Sequence, residues 1–294
     1  MLQGGGLVAF PTETVYGLGA DACDDMSVAR IFEAKGRPSF NPLIAHVADI
    51  DTAKRFVSFN EDALRIADAF WPGALTLVLP LRPDSGVSKL VTAGLETLAI
   101  RMPDHAVGQA LLAAFDGPIA APSANPSGRI SPTTAEHVIA GLNGRIDAVI
   151  EGGACAVGVE STIISCAGKP QLLRAGGIPL EAIEACLGAP ISIASQTDVL
   201  TAPGQMQSHY APNGAVRLNA AEASADETML GFGATNAPLN LSPSGDLREA
   251  AANLFNYLHQ LDAMGAAKIA VAPIPETGLG LAINDRLRRA AAPR

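Results

Sequence analysis

Three arginines and a lysine stand out for the company they keep. Lys35 and Arg37 flank a glycine in Lys35-Gly36-Arg37-Pro38, Arg101 closes the apolar run Thr97-Leu98-Ala99-Ile100, and Arg174 closes Gln171-Leu172-Leu173. Small polar residues recur beside prolines: Thr12-Glu13-Thr14 after Pro11, Asn41 before Pro42, Ser123-Ala124-Asn125 after Pro122, then Ser131 and Thr133. Cations, hydroxyls and amides in this mixture can position a substrate and neutralise an anion. They do not form a Ser/His/Asp set or a metal cluster. Attack by a carboxylate-type nucleophile on a nucleotide α-phosphate asks for little more. It needs in-line geometry and cations on the phosphates, with Mg²⁺ sharing the charge. Each residue also has a plain alternative. Lys35 near a helix C-terminus complements the dipole, Arg101 can be a surface charge at a sheet edge, and hydroxyls and amides form turns and caps. Arg37 lies beyond the helix, where the dipole explains it less well. The repetition of a proline-broken strand followed by small polar residues, at Pro11 and again at Pro122, favours one shared pocket.

The elements that must position these residues follow from hydrophobic spacing. A strand over 7–10 stops at Pro11, which cannot donate to a ladder, and Gly17 and Gly19 then permit close backbone approach. Val28, Ile31 and Phe32 predict a helix behind Asp24 and Asp25 that stops near Gly36. A strand over 43–47 follows, and Asn60 caps a helix carrying Leu64, Ala67 and Phe70, with Trp71 assigned to the core. Strands are expected over 74–79 and 97–103. Asp104 is expected to cap a helix bearing Val107, Leu111, Leu112 and Phe115. Further strands over 118–121, 148–150, 159–165 and 171–174 alternate with helices ending at Leu142 and Leu187, which predicts an α/β domain with a mixed, twisted sheet over 1–190. Residues 191–212 form a linker, and its part from Thr201 to Pro212 is expected to close over the pocket, because Met206, His209 and Tyr210 are unusual in a passive tether. A smaller α/β unit follows over 213–294, with a helix over 246–264. No G-x-x-x-x-G-K-[ST] phosphate loop occurs anywhere in the chain.

Composition narrows the classes. The 294 residues are 48% hydrophobic and 17% charged, with net charge -9, so a whole-surface nucleic-acid binder is disfavoured and an anionic ligand must meet a local cationic pocket. Cys23, Cys155, Cys166 and Cys186 contain no Cys-x-x-Cys pair and the five histidines no ligand spacing, which argues against a disulfide frame or transition-metal site. With neither a signal-like start nor an apolar stretch of membrane length, the expectation is a soluble cytoplasmic protein.

Several stretches, in this order, resemble the YrdC-like family. They are Pro11-Thr12-Glu13-Thr14-Val15-Tyr16-Gly17-Leu18-Gly19, Lys35-Gly36-Arg37-Pro38, Asn41-Pro42-Leu43, Arg101-Met102-Pro103, Ser123-Ala124-Asn125 and Gly158-Val159-Glu160-Ser161-Thr162. With Pro203-Gly204-Gln205 through Ser208-His209-Tyr210-Ala211-Pro212, nearly the whole chain is similar to the two-domain threonylcarbamoyl-AMP synthases. The resemblance implies a YrdC-like twisted mixed sheet with flanking helices and a Rossmann-like α/β C-terminal domain. It implies a nucleotidyltransferase that converts L-threonine, bicarbonate and ATP, with Mg²⁺, to threonylcarbamoyl-AMP and pyrophosphate for threonylcarbamoyladenosine in tRNA. It assigns Thr14, His46, Arg101, Ala121 and Ser161 to threonine. Arg37, Asn41, Thr97, Ser123, Ser131, Arg174 and Tyr210 go to ATP, and Lys35 and Arg37 to catalysis. Implied partners are the tRNA-modification proteins that receive the intermediate, with weak RNA binding as an accessory property. Two other readings stand beside it: a carbamoyltransferase of metallo-enzyme maturation and a non-catalytic RNA-binding module. Family members commonly carry a helix before the opening strand. Only Met1 to Gly6 precede it here, so a shortened start is expected.

Overall fold

The computed structural model describes residues 1–194 and 209–293. A 3₁₀ turn (Leu2–Gly4) leads into β1 (Val8–Phe10), β2 (Gly17–Asp21), α1 (Asp25–Lys35), β3 (Ile44–His46), α2 (Ile50–Phe56), α3 (Glu61–Phe70), β4 (Leu75–Pro80), α4 (Lys89–Thr92) and β5 (Thr97–Arg101). The chain continues through α5 (Ala106–Phe115), β6 (Ile119–Ala120), α6 (Ala135–Leu142), β7 (Ala148–Val149), β8 (Thr162–Ser165), β9 (Gln171–Arg174), α7 (Leu180–Leu187) and β10 (Ser192–Ile193). These strands form one mixed ten-stranded sheet in the order β10-β9-β8-β4-β5-β3-β6-β2-β1-β7. Beyond the linker, β11 (Ala215–Arg217), β12 (Thr228–Gly231), β13 (Leu239–Asn240), α8 (Leu247–Ala263), β14 (Lys268–Val271) and α9 (Gly280–Ala290) build a second unit. Its four-stranded sheet, β11-β14-β12-β13, is parallel throughout.

Local chemistry sets most of the boundaries. Asp24 accepts from the Ser27 amide at 2.9 Å and starts α1, and Gly36 ends it in the left-handed region at φ 61. Asn60 does the same for α3, accepting from the Ala63 amide at 2.9 Å. Asp104 does not cap α5. Glu13 takes the Asp104 amide through Oε2 at 3.0 Å, and His105 becomes the cap, accepting from the Gly108 amide.

Alternation along the strands divides the large sheet by face. Leu75, Leu77, Leu79, Leu98, Ile100, Ala45, Ile164 and Leu172 point to the face covered by α1, α2 and α3, where they join Ile31, Phe32, Phe56 and Ile66 in the main core. The alternate residues Ile44, Val78, Ala99 and Ile163 form a small patch on the opposite face. That second face is where the polar site develops.

Three boundaries differ from the sequence reading. Strand β10 runs parallel to β9, so the first sheet continues past residue 190. The strand expected over 159–165 begins only at Thr162. Residues 280–290, for which the sequence reading set no element, form the helix α9. The cysteines are all unpaired, with Cys155 and Cys166 buried, and none of the described helices is long and apolar enough to cross a membrane.

The two units share a core. Val15, Ile130 and Val159 of the first unit and Tyr210 of the linker's end pack with Leu254, Phe255 and Leu258 of α8 and Ile283 and Leu287 of α9. Gly158 makes the approach feasible: its φ is 73, and a Cβ there would lie 2.5 Å from the Ala251 carbonyl oxygen in α8.

Candidate active site

Register, rather than proximity in sequence, assembles the site. His46 of β3 pairs with Arg101 of β5, Arg101 with Thr76 of β4, Thr76 with Ile163 of β8, and Ile163 with Arg174 of β9. One cross-strand row thus carries a histidine and two arginines over five adjacent strands, all on the same face. Loops wall this floor. The opening loop and the Ser123 loop are stitched together by a bridge between Gly17 and Ser123, by Leu18 N–H to Pro122 O at 2.8 Å and by Ala124 N–H to Tyr16 O at 2.8 Å. Within the opening loop the Thr12 hydroxyl donates to Val15 O at 2.6 Å and accepts from the Thr14 and Val15 amides at 3.2 Å. Thr12 therefore shapes the turn, and Thr14 faces inward.

The resulting cavity is lined by Thr14, Arg37, His46, Arg101, Ala121, Ser123, Ser161, Arg174 and Tyr210 from the expected set, together with Glu160, His209, Val15, Gly17, Ile44 and Pro122. Its free volume is about 50 Å³, far below the several hundred Å³ of a typical ligand pocket. His209 and Tyr210 fill the space, and Tyr210 is fixed there with φ 61, a conformation that costs a bulky residue on the order of 1–3 kcal/mol. The ring lies 5.4 Å from that of Phe255 and 4.1 Å from that of His209. Of the segment expected to close over the pocket, Thr201 to Ser208 lie outside the described residues.

Four expected residues are not on the wall. Lys35 stands behind Ser123, donating through Nζ to Ser123 O at 2.6 Å and to Asn125 O. Asn41 is buried under Arg37, whose Nε donates to the Asn41 carbonyl at 3.3 Å. Ser131 sits behind Glu160, to which its hydroxyl donates at 2.6 Å. Thr97 begins β5, opposite Pro80, and at roughly 3.3 Å per residue lies ~13 Å along the strand from Arg101. The register carries it away from the cavity.

Arg101 is held by three bonds: Nη2 to Glu13 Oε1 at 2.6 Å, Nη1 to Thr14 Oγ1 at 2.9 Å and Nε to Gly73 O at 3.2 Å. Two of its N–H groups remain for a ligand. Arg174 grips the Ser161 carbonyl through Nε at 3.1 Å and Nη2 at 2.9 Å. Ser161 in turn meets Thr76, hydroxyl to hydroxyl, at 2.7 Å. Burial lowers Arg37 and Arg174 to about 10, so both stay charged at neutral pH. Burial, and then Arg37, holds the Lys35 amine well below the usual lysine value.

Burial, reinforced by Arg101, lowers His46 to about 3. Burial also lowers His209 to about 3, with Lys35, Arg37 and Arg174 acting the same way against Glu160. Both rings are neutral in the folded protein, whereas in the unfolded chain they protonate near pH 6.5. Between those limits the unfolded state binds more protons, so stability is present above about pH 6.5 and lost as pH falls. The expected loss near pH 5 is about 2 kcal/mol from each ring. Thermal unfolding at about pH 7.5 and pH 5 checks this, and an unchanged midpoint would refute it.

Sequence reasoning missed Glu160, His209 as a wall residue, and Arg286. His209 stood in the segment expected to close over the pocket and Glu160 in a quoted motif, whereas the signal for Arg286 is fainter, an arginine set within the apolar stripe Ile283, Leu287, Ala290 of α9.

The comparisons with known proteins agree with this architecture. The family model described as "Telomere recombination" matches residues 1–176, and the model described as "Threonylcarbamoyl-AMP synthase, C-terminal domain" matches 178–292. The threonylcarbamoyl-AMP synthase of Bacillus subtilis (strain 168) is 43% identical over 321 aligned positions, covering 100% of this chain and 92% of that protein. The enzyme of the same name from Schizosaccharomyces pombe is 38% identical, covering 97% of this chain and 85% of that protein. The crystal structure of P. abyssi Sua5 complexed with L-threonine superposes with a TM-score of 0.90 at 41% identity, covering 99% of this chain and 92% of that one. With both family models matched end to end along one chain, this protein belongs to the two-domain threonylcarbamoyl-AMP synthase family.

Proposed function

We propose that this chain condenses L-threonine, bicarbonate and ATP to threonylcarbamoyl-AMP and pyrophosphate, the adenylate that feeds threonylcarbamoyladenosine formation in tRNA. The observation that carries this reading is the cross-strand row of His46, Arg101 and Arg174 beneath Arg37 and the Thr14, Ser123 and Ser161 hydroxyls. Threonine amine and bicarbonate lose water to give the carbamate. A carbamate oxygen then attacks the α-phosphorus, the bond to the bridging oxygen breaks, and pyrophosphate leaves. AMP is transferred, which makes the activity a nucleotidyltransferase.

In this reading Arg101 pairs the threonine carboxylate through its remaining N–H groups. Thr14, Ser161 and neutral His46 address the threonine hydroxyl and amine, and Ala121 leaves room for the methyl. Arg37 and Arg174 clamp the phosphates, with Lys35 approaching from behind Ser123. Mg²⁺ is assigned to the ATP phosphates it arrives with, where it would share their negative charge. His209 and Tyr210 must withdraw to admit substrates and return to exclude water, because the carbamate and the adenylate are both labile. That lability also calls for a tRNA-modification protein that takes the product directly.

Incubation with the three substrates and Mg²⁺, followed by mass spectrometry for threonylcarbamoyl-AMP and a stoichiometric pyrophosphate assay, tests the proposal. Salt-sensitive RNA retention on filters without adenylate formation would favour the RNA-binding alternative. Valine, which has the shape of threonine without its hydroxyl, is expected to react at least ~100-fold less efficiently, since a site built for a hydroxyl is left with unpaired polar groups. Comparable kcat/KM for the two amino acids would contradict the assignment of Thr14 and Ser161.

A further inference from the structure

Arg286 belongs to α9 of the C-terminal unit, yet it reaches the wall of a cavity built by the first unit. Its Nε donates to Glu160 Oε2 at 2.9 Å, and its Nη1 to Ala175 O at 2.6 Å and to Asp285 Oδ2 at 3.0 Å. The guanidinium carbon lies 5.6 Å from the Tyr210 ring centroid. The side chain is wholly buried, and Nη2 has no hydrogen-bond partner among the described residues.

Glu160 is the acidic residue on the cavity wall among those that line it, beside Arg37 and Arg174. Its Oε1 accepts from the Ser131 hydroxyl at 2.6 Å. Burial pushes this carboxyl up, but Arg286, Arg174 and the Ser131 hydroxyl outweigh burial and hold it below the usual carboxylate range. A buried, ionised carboxylate facing a polyphosphate subsite is a liability. Like charges in a poorly screened site repel strongly unless a fixed cation stands between them. Arg174 is already turned to the Ser161 carbonyl, and Arg286 makes the direct ion pair.

We propose that Arg286 is a positioning residue of the nucleotide subsite, supplied by the C-terminal unit, which neutralises Glu160 and through it sets Ser131. The inference rests on the reading of this cavity as an ATP site. A residue that merely stapled the two units together would affect both substrates alike. Neutralisation affects ATP and spares threonine.

A double-mutant cycle that neutralises each charge in turn separates these possibilities. Steady-state kinetics with ATP and threonine titrated separately would be paired with calorimetric titration of MgATP alone. Arg286→Met is expected to raise the ATP Kd and KM at least ~10-fold, as for truncation of one partner of a buried charge pair, with the threonine KM changed less than about twofold on the same argument. Adding Glu160→Gln removes the orphaned charge and is expected to restore most of the ATP affinity. Equal losses for the two substrates, or a double variant no better than Arg286→Met, would overturn the proposal. Should Arg286→Met not fold, Arg286→Lys carries the test. It keeps the charge without the fork, and the expected result is a smaller rise confined to ATP, an equal rise for both substrates again being the overturning one. Wild-type protein that binds MgATP but forms no adenylate would remove the proposed reaction and leave this inference readable by calorimetry. Wild-type protein that binds no MgATP would end both.

Discussion

Arg101→Ala is expected to cost this protein both its threonine site and a large part of its stability. A charge-assisted bond contributes about 1.5–3 kcal/mol, and a bidentate pair with the substrate carboxylate makes two, so the threonine KM should rise roughly 100-fold or more. The stability loss has a different origin. The ion pair between Arg101 and Glu13, at 2.6 Å, has side chains only 4% and 10% exposed. Removing the arginine leaves the Glu13 carboxylate buried, with the Asp104 amide as its remaining donor among the described residues, and an uncompensated buried charge costs about 3–5 kcal/mol. The two effects can be separated. Glu13→Gln combined with Arg101→Met removes both charges and should recover most of the lost stability without restoring threonine binding. Arg37→Ala should instead act chiefly on ATP. Initial rates with each substrate titrated, set beside thermal unfolding of the four proteins, check these expectations. A common kinetic pattern for Arg101→Ala and Arg37→Ala would remove the division of labour between them.

The same pair shows what a sequence can and cannot reveal. Asn60 caps α3 as read, and Asp24 caps the helix expected behind it, because a cap and its amide lie three residues apart. Asp104 is not the cap: the helix starts one residue later, His105 takes that role, and Glu13, 91 residues earlier, holds the Asp104 backbone amide. The pairing of the Pro11 and Pro122 loops was legible as a repeated motif, and the bridge between Gly17 and Ser123 joins them directly. That His46, Arg101 and Arg174 share one row was not legible. Register between β3, β5, β4, β8 and β9 depends on partners brought together from across the chain, and a one-residue slip would turn each arginine to the opposite face. Thr97 illustrates the reverse case. It lies on the same strand and the same face as Arg101, yet the length of β5 separates it from the cavity. Arg286 was the hardest to find, since its partner Glu160 is 126 residues away in another unit. On a helix whose last turn also carries Arg288 and Arg289, it reads at first as one more cation complementing the dipole.

Ending the chain after Ala194 is expected to leave a folded first unit that makes almost no adenylate. The cut falls there because β10 adds to the sheet through Ile193, and the Ala194 amide still bonds Leu172 O at 2.9 Å. Every buried member of the main core lies between Leu7 and Ile183, so the helices on that face keep their packing. The losses fall on the opposite face. Val15, Ile130 and Val159 lose their contacts with α8 and α9, at about 1.5–3 kcal/mol for each side chain returned to water. Val15 directly follows Thr14, and Val159 directly precedes Glu160, so exposing them loosens the two walls that the proposed reaction uses to aim the threonine and phosphate groups. Glu160 loses Arg286, and the cavity loses His209 and Tyr210, the groups available to shield a hydrolysable carbamate. Loss of shielding and loss of neutralisation can be told apart by their readouts. An open site should hydrolyse ATP with little coupling to product, whereas an un-neutralised Glu160 should weaken MgATP binding, and Glu160→Gln in the shortened chain should repair only the second. Circular dichroism and a cooperative thermal transition establish that the fragment is folded. A folded fragment forming threonylcarbamoyl-AMP at the full-length rate would show that the C-terminal unit serves neither purpose.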